Sequence, residues 1–165
     1  MSVCYLALGS NLGDRLQHLK FGLSALEERG VHVIRTASVY STEPKELIDQ
    51  PWFLNTAIEA ETVLEPEELM RVCQEIERAR NRLRKVPNGP RSLDIDIILF
   101  GERVMQTSAI TIPHPRYTQR RFVLEPLAEI APEQLDPLFA QTVSQLLEKV
   151  EDNSTVDRIA SPLRP

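Results

Sequence analysis

Only two cysteines occur in 165 residues, Cys4 and Cys73, and they lie far apart along the chain. So sparse a set makes neither a disulfide framework nor a zinc-ligand spacing, and a reducing cytosol is the expected setting. Basic charge is not in surplus: 19 Lys and Arg against 24 Asp and Glu leave a net charge of −5. No whole-molecule positive field holds nucleic acid or an anionic lipid surface, so any basic site is local. Long apolar runs are missing as well. The stretch Val3 to Leu8 is soon followed by Asp14 and Arg15, so neither a signal peptide nor a membrane span is expected. The sequence also lacks G-x-x-x-x-G-K-[ST], G-x-G-x-x-G and H-E-x-x-H. Nucleotide chemistry, if present, runs outside the familiar nucleotide folds.

What is present reads as one folded unit. A content of 42% hydrophobic and 26% charged residues sits at the globular average. The length suits a single domain over residues 1–165, with 151–165 expected as a loosely held tail. Val3 to Leu8, closed by Gly9-Ser10-Asn11, reads as a strand and turn, after which Leu12, Leu16, Leu19, Leu23 and Leu26 recur at helical spacing. Asn11 is the expected N-cap and Gly30 the stop. Val31 to Ser41 is β-rich, and the proline-bearing, charged stretch Thr42 to Pro51 reads as a surface loop. Phe53 to Ala60 alternates as a long strand, with Phe53 and Asn55 on one face. Pro66 opens a second helix carrying Leu69, Cys73, Ile76, Arg80 and Leu83 at helical spacing and ending near Arg84. Lys85 to Ser92 is a loop, Leu93 to Phe100 a strand, Thr111 to Tyr117 irregular, and Thr142 to Val150 a short helix. Strands interleaved with two long helices predict an α+β sandwich with both helices on one sheet face. The other face is then free to work.

Three groups of residues carry chemistry. Asp94 and Asp96 are two positions apart on a strand, hence on one face, where their like charges repel and a hard cation such as Mg²⁺ finds oxygen ligands. Taken alone, they equally describe a solvated acidic strand face. Arg78, Arg80, Arg82, Arg84, Lys85 and Arg91 form a basic run around the second helix end. A helix C-terminus favours a few of these, and Glu75 and Glu77 can serve Arg78 and Arg80, which leaves Arg82 and Arg84 for an anion such as a polyphosphate. The third group, Ile112-Pro113-His114-Pro115-Arg116 with Arg120, Arg121 and Phe122, sets a histidine between prolines beside further arginines.

These residues resemble a known family, the 6-hydroxymethyl-7,8-dihydropterin pyrophosphokinases of folate biosynthesis. The resemblance covers roughly residues 3 to 130, in ordered blocks: AlaLeuGlySerAsnLeuGlyAsp at 7 to 14, Ser38-x-Tyr40-x-Thr42-x-Pro44, Phe53-Leu54-Asn55, Arg82-x-Arg84, GPRSLDIDI at 89 to 97, and IPHPR at 112 to 116 with Arg120 and Phe122. It implies a ferredoxin-like α/β/α sandwich around a mainly antiparallel sheet, with helices on the second face too. It also implies transfer of pyrophosphate from ATP to the pterin, with release of AMP. On that resemblance Asp94 and Asp96 are ligands of two Mg²⁺ ions. Arg82, Arg91, Asp94 and Asp96 are the catalytic set, with Asp96 also able to take the hydroxyl proton. Gln74, Glu77, Arg84, Arg91, Ile97, Thr111, His114 and Arg120 are the ATP contacts. Thr42, Pro44, Phe53, Asn55, Asp94 and Phe122 form the pterin pocket. Asn88, where many members carry an aromatic residue, and Pro115, often tyrosine in the family, depart from the pattern.

From the residues alone two other classes stay open. A Mg²⁺-dependent phosphohydrolase or nuclease uses the same paired aspartates and arginines, and a non-catalytic ferredoxin-like module binds RNA or protein. The charge of −5 weighs against RNA. The expected partners are small molecules, ATP and the hydroxymethyl dihydropterin, acting on a monomer with no nucleic acid or membrane attached.

Overall fold

The computed structural model describes residues 1–45, 49–81 and 90–164. Among these described residues, eight strands and four helices follow in the order β1 (Ser2–Ser10), α1 (Arg15–Glu28), β2 (Val31–Thr36), β3 (Val39–Thr42), β4 (Phe53–Thr62), α2 (Pro66–Arg80), β5 (Asp94–Phe100), β6 (Met105–Gln106), β7 (Thr111–Ile112), α3 (Arg121–Ile130), α4 (Val143–Lys149) and β8 (Val156–Ala160). A one-turn 3₁₀ helix, Tyr117–Gln119, precedes α3. The main sheet runs β5-β1-β4-β3-β8, and β2 lies on the same side of β4 as β3. All of its described pairings are antiparallel.

Strand alternation divides the core into two. Cys4, Leu6 and Leu8 of β1, Leu54, Ile58 and Ala60 of β4, and Ile95 and Ile97 of β5 meet Leu19, Leu23 and Leu26 of α1 and Leu69, Val72, Cys73 and Ile76 of α2. Tyr5, Ala57, Ile98 and Leu99 face the other way, against Val123, Leu124, Leu127 and Ile130 of α3 and Val143 and Leu146 of α4. A register shift opposite Tyr5 and Leu6 lets Ile98 and Leu99 serve the same face in succession. The α+β sandwich is therefore layered on both sides, as the family resemblance implies. Burial of Cys4 and Cys73 in the first core pushes both thiols up, Cys4 to about 12, so neither is a ready nucleophile.

Several boundaries differ from the sequence reading. Asp14, not Asn11, caps α1, its carboxylate accepting the Gln17 N–H at 3.2 Å. Asn11 is used elsewhere, as described below. The second helix ends at Arg80 rather than near Arg84, because the Asn81 side chain takes the Glu77 carbonyl at 2.9 Å and also pairs with both backbone groups of Leu93. Residues 82–89, and with them Arg82, Arg84 and Asn88, lie outside the described residues. The acids of α2 serve Arg78 and Arg80 only in part: Glu75 makes its close ion pair with Arg29 and feels Arg78 more weakly, while Arg80 donates to His18 and stacks on Phe21. α3 escapes periodicity reasoning because Pro126 sits inside it. Instead of a loose tail throughout 151–165, residues 156–160 form β8 on the edge of the sheet, paired with β3.

One polar cross-link fixes β3 to α3. The Glu129 carboxylate accepts the Tyr40 hydroxyl at 2.6 Å and both the backbone N–H and hydroxyl of Ser38. Burial opposes its charge, yet these donors hold its carboxyl below the usual range. Tyr40→Phe removes one donor from a charged acceptor and should cost roughly 1–3 kcal/mol in urea unfolding with no change of fold. A variant with wild-type stability would show that this link holds nothing.

Candidate functional site

The register of the sheet sets the floor of an open cleft on the α3 face. Gly9 of β1 is paired with Asp94 of β5 on one side and Asn55 of β4 on the other, and Ala7 lies between Asp96 and Ala57. Paired residues share a face, so both aspartates and the amide stand over the smallest residues of β1. The next pair outward, Phe53 with Thr42, continues the row towards β3. The cleft has a volume of about 700 Å³. Its walls are Thr42 at the end of β3 with Glu43, Pro44 and Lys45 after it, and His114, Arg116, Arg120 and Phe122 before and within α3.

The polar groups are arranged in two ends. At the β4 end the Asn55 amide donates to the Thr42 hydroxyl at 2.6 Å, which orients it against Gly9. A β-carbon at Gly9 would lie 2.5 Å from Asn55 Oδ1, so this orientation requires glycine. At the β5 end Arg91 pairs with Asp94 at 3.1 Å, while its buried Nε has no hydrogen-bond partner among the described residues. Asn11 supports the Arg91 backbone, accepting its N–H at 2.9 Å and donating its own backbone N–H to the Arg91 carbonyl. The same side chain donates to Gln50 and to the Pro51 carbonyl, tying the loop before β4 to the loop before β5.

Burial and crowding of like charges tune the carboxylates. Asp96 is pushed up to about 7 by burial and by Asp94, against the pull of Arg120 and Arg91. Glu77 rises to about 8 through burial and its hydrogen bond with Asp94, while it also accepts the Ile95 N–H. Crowded carboxylates short of positive charge fit a hard cation. His114 moves the other way: burial, then Arg120 and Arg116, lower its imidazole to about 4. Its Nδ1 accepts the Arg116 N–H at 3.2 Å, which assigns the ring proton to Nε2 and leaves that N–H as a donor.

Of the residues singled out from sequence, Thr42, Pro44, Phe53, Asn55, Arg91, Asp94, Asp96, His114, Arg120 and Phe122 line this one cleft. Others stand apart. Gln74 is exposed on α2, Ile97 packs into the α1/α2 core, and Thr111 lies in β7, none of them lining the cleft. Glu77 meets Asp94 from α2 without lining it. Lys45 and Gln119 line the cleft although the sequence reading gave them no role, and Arg116, named there only as part of a basic group, lines it too. Arg116 stood inside the IPHPR block and was the one most open to recognition.

The sequence matches the family described as 7,8-dihydro-6-hydroxymethylpterin-pyrophosphokinase over residues 5–132. A Bacillus subtilis 2-amino-4-hydroxy-6-hydroxymethyldihydropteridine pyrophosphokinase is 44% identical over 130 residues, 78% of each chain. A protein of the same name from Methylorubrum extorquens is 38% identical over 160 residues, 96% of this chain and 99% of its own. The chain also matches fungal folic acid synthesis proteins, of whose length it spans only 20%. In fold it is similar to the HPPK-DHPS of Plasmodium falciparum solved with pteroate, at a TM-score of 0.74, 16% identity and coverage of 90% of this chain and 44% of that one.

The neutral imidazole makes a testable point. Because His114 binds its proton only near pH 4 when folded but near 6.5 when unfolded, the unfolded chain holds more protons between those values. Stability from this group is therefore fully present above about pH 6.5 and is lost as pH falls towards 4. An NMR titration should find the His114 ring still neutral at pH 5.5. A midpoint near 6.5 would mean that the ring is solvated.

Proposed function

The chain belongs to the 7,8-dihydro-6-hydroxymethylpterin-pyrophosphokinase family, and on that footing we propose that it moves the β,γ-pyrophosphoryl group of ATP onto the hydroxymethyl oxygen of 6-hydroxymethyl-7,8-dihydropterin. AMP is the leaving group. The observation that carries this reading is the meeting, over Gly9 and Ala7, of a carboxylate pair, a cationic wall and an aromatic–amide patch in one cleft. Each part answers to a different piece of the reaction.

The pterin is flat, aromatic and edged with amide-like donors and acceptors. Phe53 and Phe122 supply apolar faces for its rings, while Asn55, held by Thr42, offers a carbonyl and an N–H to its edge. Fixing that edge fixes where the hydroxymethyl group points. The triphosphate meets the other end, where Arg91 and Arg120 neutralise charge on its oxygens and the Nε2–H of His114 donates a hydrogen bond. The buried Arg91 Nε, without a hydrogen-bond partner among the described residues, is a donor suited to a phosphate oxygen. Arg82 and Arg84 belong to the proposed phosphate contacts but lie outside the described residues.

Asp94 and Asp96 would hold Mg²⁺ together with phosphate oxygens, and the fit rests on two carboxylates sharing one face of β5 in the cleft, where burial and then Asp94 push Asp96 up to about 7. When bound with ATP, two such ions supply charge neutralisation and alignment for in-line displacement at the β-phosphorus. The chain's own work is positional: it holds an alcohol and a phosphorus in reach of each other.

The reading is tested by incubating the protein with Mg-ATP, with and without the hydroxymethyl dihydropterin. AMP should appear only with the pterin, in equal amount to the pterin diphosphate. Asp94→Asn and Asp96→Asn should each lower kcat by about 100-fold or more with the fold intact, since each removes charge from where it is needed most in the transition state. Stoichiometric ADP, or near-normal turnover in either variant, would contradict the proposal.

A further inference from the structure

The segment after α4 returns to the rim of the cleft, and one of its carboxylates touches both walls. The Asp152 side chain is only 3% exposed, and its Oδ2 accepts the Lys45 ammonium at 3.0 Å and the backbone N–H of Arg121 at 3.0 Å. Its Oδ1 accepts the backbone N–H and the hydroxyl of Ser154. Lys45 completes the wall begun by Thr42, Glu43 and Pro44. Arg121 is the first residue of α3 and lies between Arg120 and Phe122, both on the opposite wall. α3 has no side-chain cap of its own at Arg120, so this carboxylate caps it from a distant part of the chain. A reciprocal pair lies beside it: Glu43 N–H donates to the Thr155 carbonyl at 3.2 Å and Thr155 N–H to the Glu43 carboxylate at 2.6 Å.

We propose that Asp152 is a positioning residue that sets the separation of the two walls gripping the pterin, an inference that rests on the substrate reading above. Asp152 lies beyond residues 5–132, over which the family match runs. A buried carboxylate persists only if its lone pairs are filled, and here donors from three segments fill them. Burial works against its charge, but the bonds from Ser154, Arg121 and Lys45 outweigh that and hold it near 2. It stays ionised across the working range. An amide in its place keeps an oxygen for the Arg121 N–H but loses the charge that holds the Lys45 ammonium, and its NH2 group then meets the Ser154 N–H, so the Lys45 wall loses its anchor. At the nucleotide end, Arg91 and the aspartates of β5 have no bond to Asp152 among those described, and Arg120 is tied to it only through the chain at Arg121, so nucleotide binding feels its loss less than pterin binding does.

The test compares the wild type with Asp152→Asn and Lys45→Met. In Asp152→Asn, hydrogen exchange at the Arg121 and Glu43 amides should quicken, and pterin binding should weaken about tenfold while binding of a non-reacting Mg-ATP analogue changes by less than about twofold. Lys45→Met leaves the cap on α3 in place and carries the test if Asp152→Asn does not fold. It should weaken pterin binding in the wild type but add nothing in the Asp152→Asn background. Equal losses for both ligands, unchanged pterin affinity, or a full second loss from Lys45→Met would overturn the proposal. A wild type that forms no pterin-dependent AMP would instead refute the substrate reading. The exchange experiment, which needs no ligand, still judges the fastening, and unchanged exchange at both amides would overturn it.

Discussion

An added β-carbon at Gly9 would come within 2.5 Å of Asn55 Oδ1 and 3.5 Å of the Phe53 ring, so β1 has to be bare where the cleft crosses it. That steric constraint places everything else. β1 is flanked by β5 and β4, and with no side chain at Gly9 and only a methyl at Ala7, the aspartates of one neighbour and the amide of the other reach over it into a shared space. A larger residue at Gly9 separates the two ends of the site. The α1/α2 core on the reverse face tolerates no such gap, and there β1 presents Cys4, Leu6 and Leu8.

Charge follows from that geometry. Burial penalises the charge on Asp96, and Asp94 two positions away on the same face of β5 adds repulsion, which together push it up to about 7 against the opposite charge of Arg120 and Arg91. Burial, and then Arg120 and Arg116, keep His114 neutral. The cleft thus holds a cation-seeking end within reach of fixed cationic side chains. That is the electrostatic character of a site in which a metal and a polyphosphate arrive together.

Much of this was legible in the sequence because it obeys short periods. Alternation put Asp94 with Asp96 and Phe53 with Asn55, and the leucine and isoleucine spacing of α1 and α2 announced the helices that bury the reverse face. The ends of those helices were less legible, since Asp14 and Asn11 are both good caps and only the tertiary use of Asn11 on Arg91, Gln50 and Pro51 decides between them. α3 was hidden by Pro126, and β8 by its exposure, since an edge strand with Asp157, Arg158 and Ile159 all facing solvent shows no buried stripe. Asp152 and Glu129 gave no signal at all. Their partners lie far away in sequence, and a lone acid says nothing about what it will bind until the chain has closed.

The claim on which the rest turns is that the bare floor at Gly9 joins the two ends of the site. Calorimetric titration of Gly9→Ala with the hydroxymethyl dihydropterin or a stable analogue, with the fold checked by circular dichroism, measures it most directly. If the account is right, the variant folds but loses pterin affinity by about tenfold or more, because the methyl group drives the Asn55 amide away from Thr42. A folded variant that binds the pterin as tightly as the wild type would contradict it.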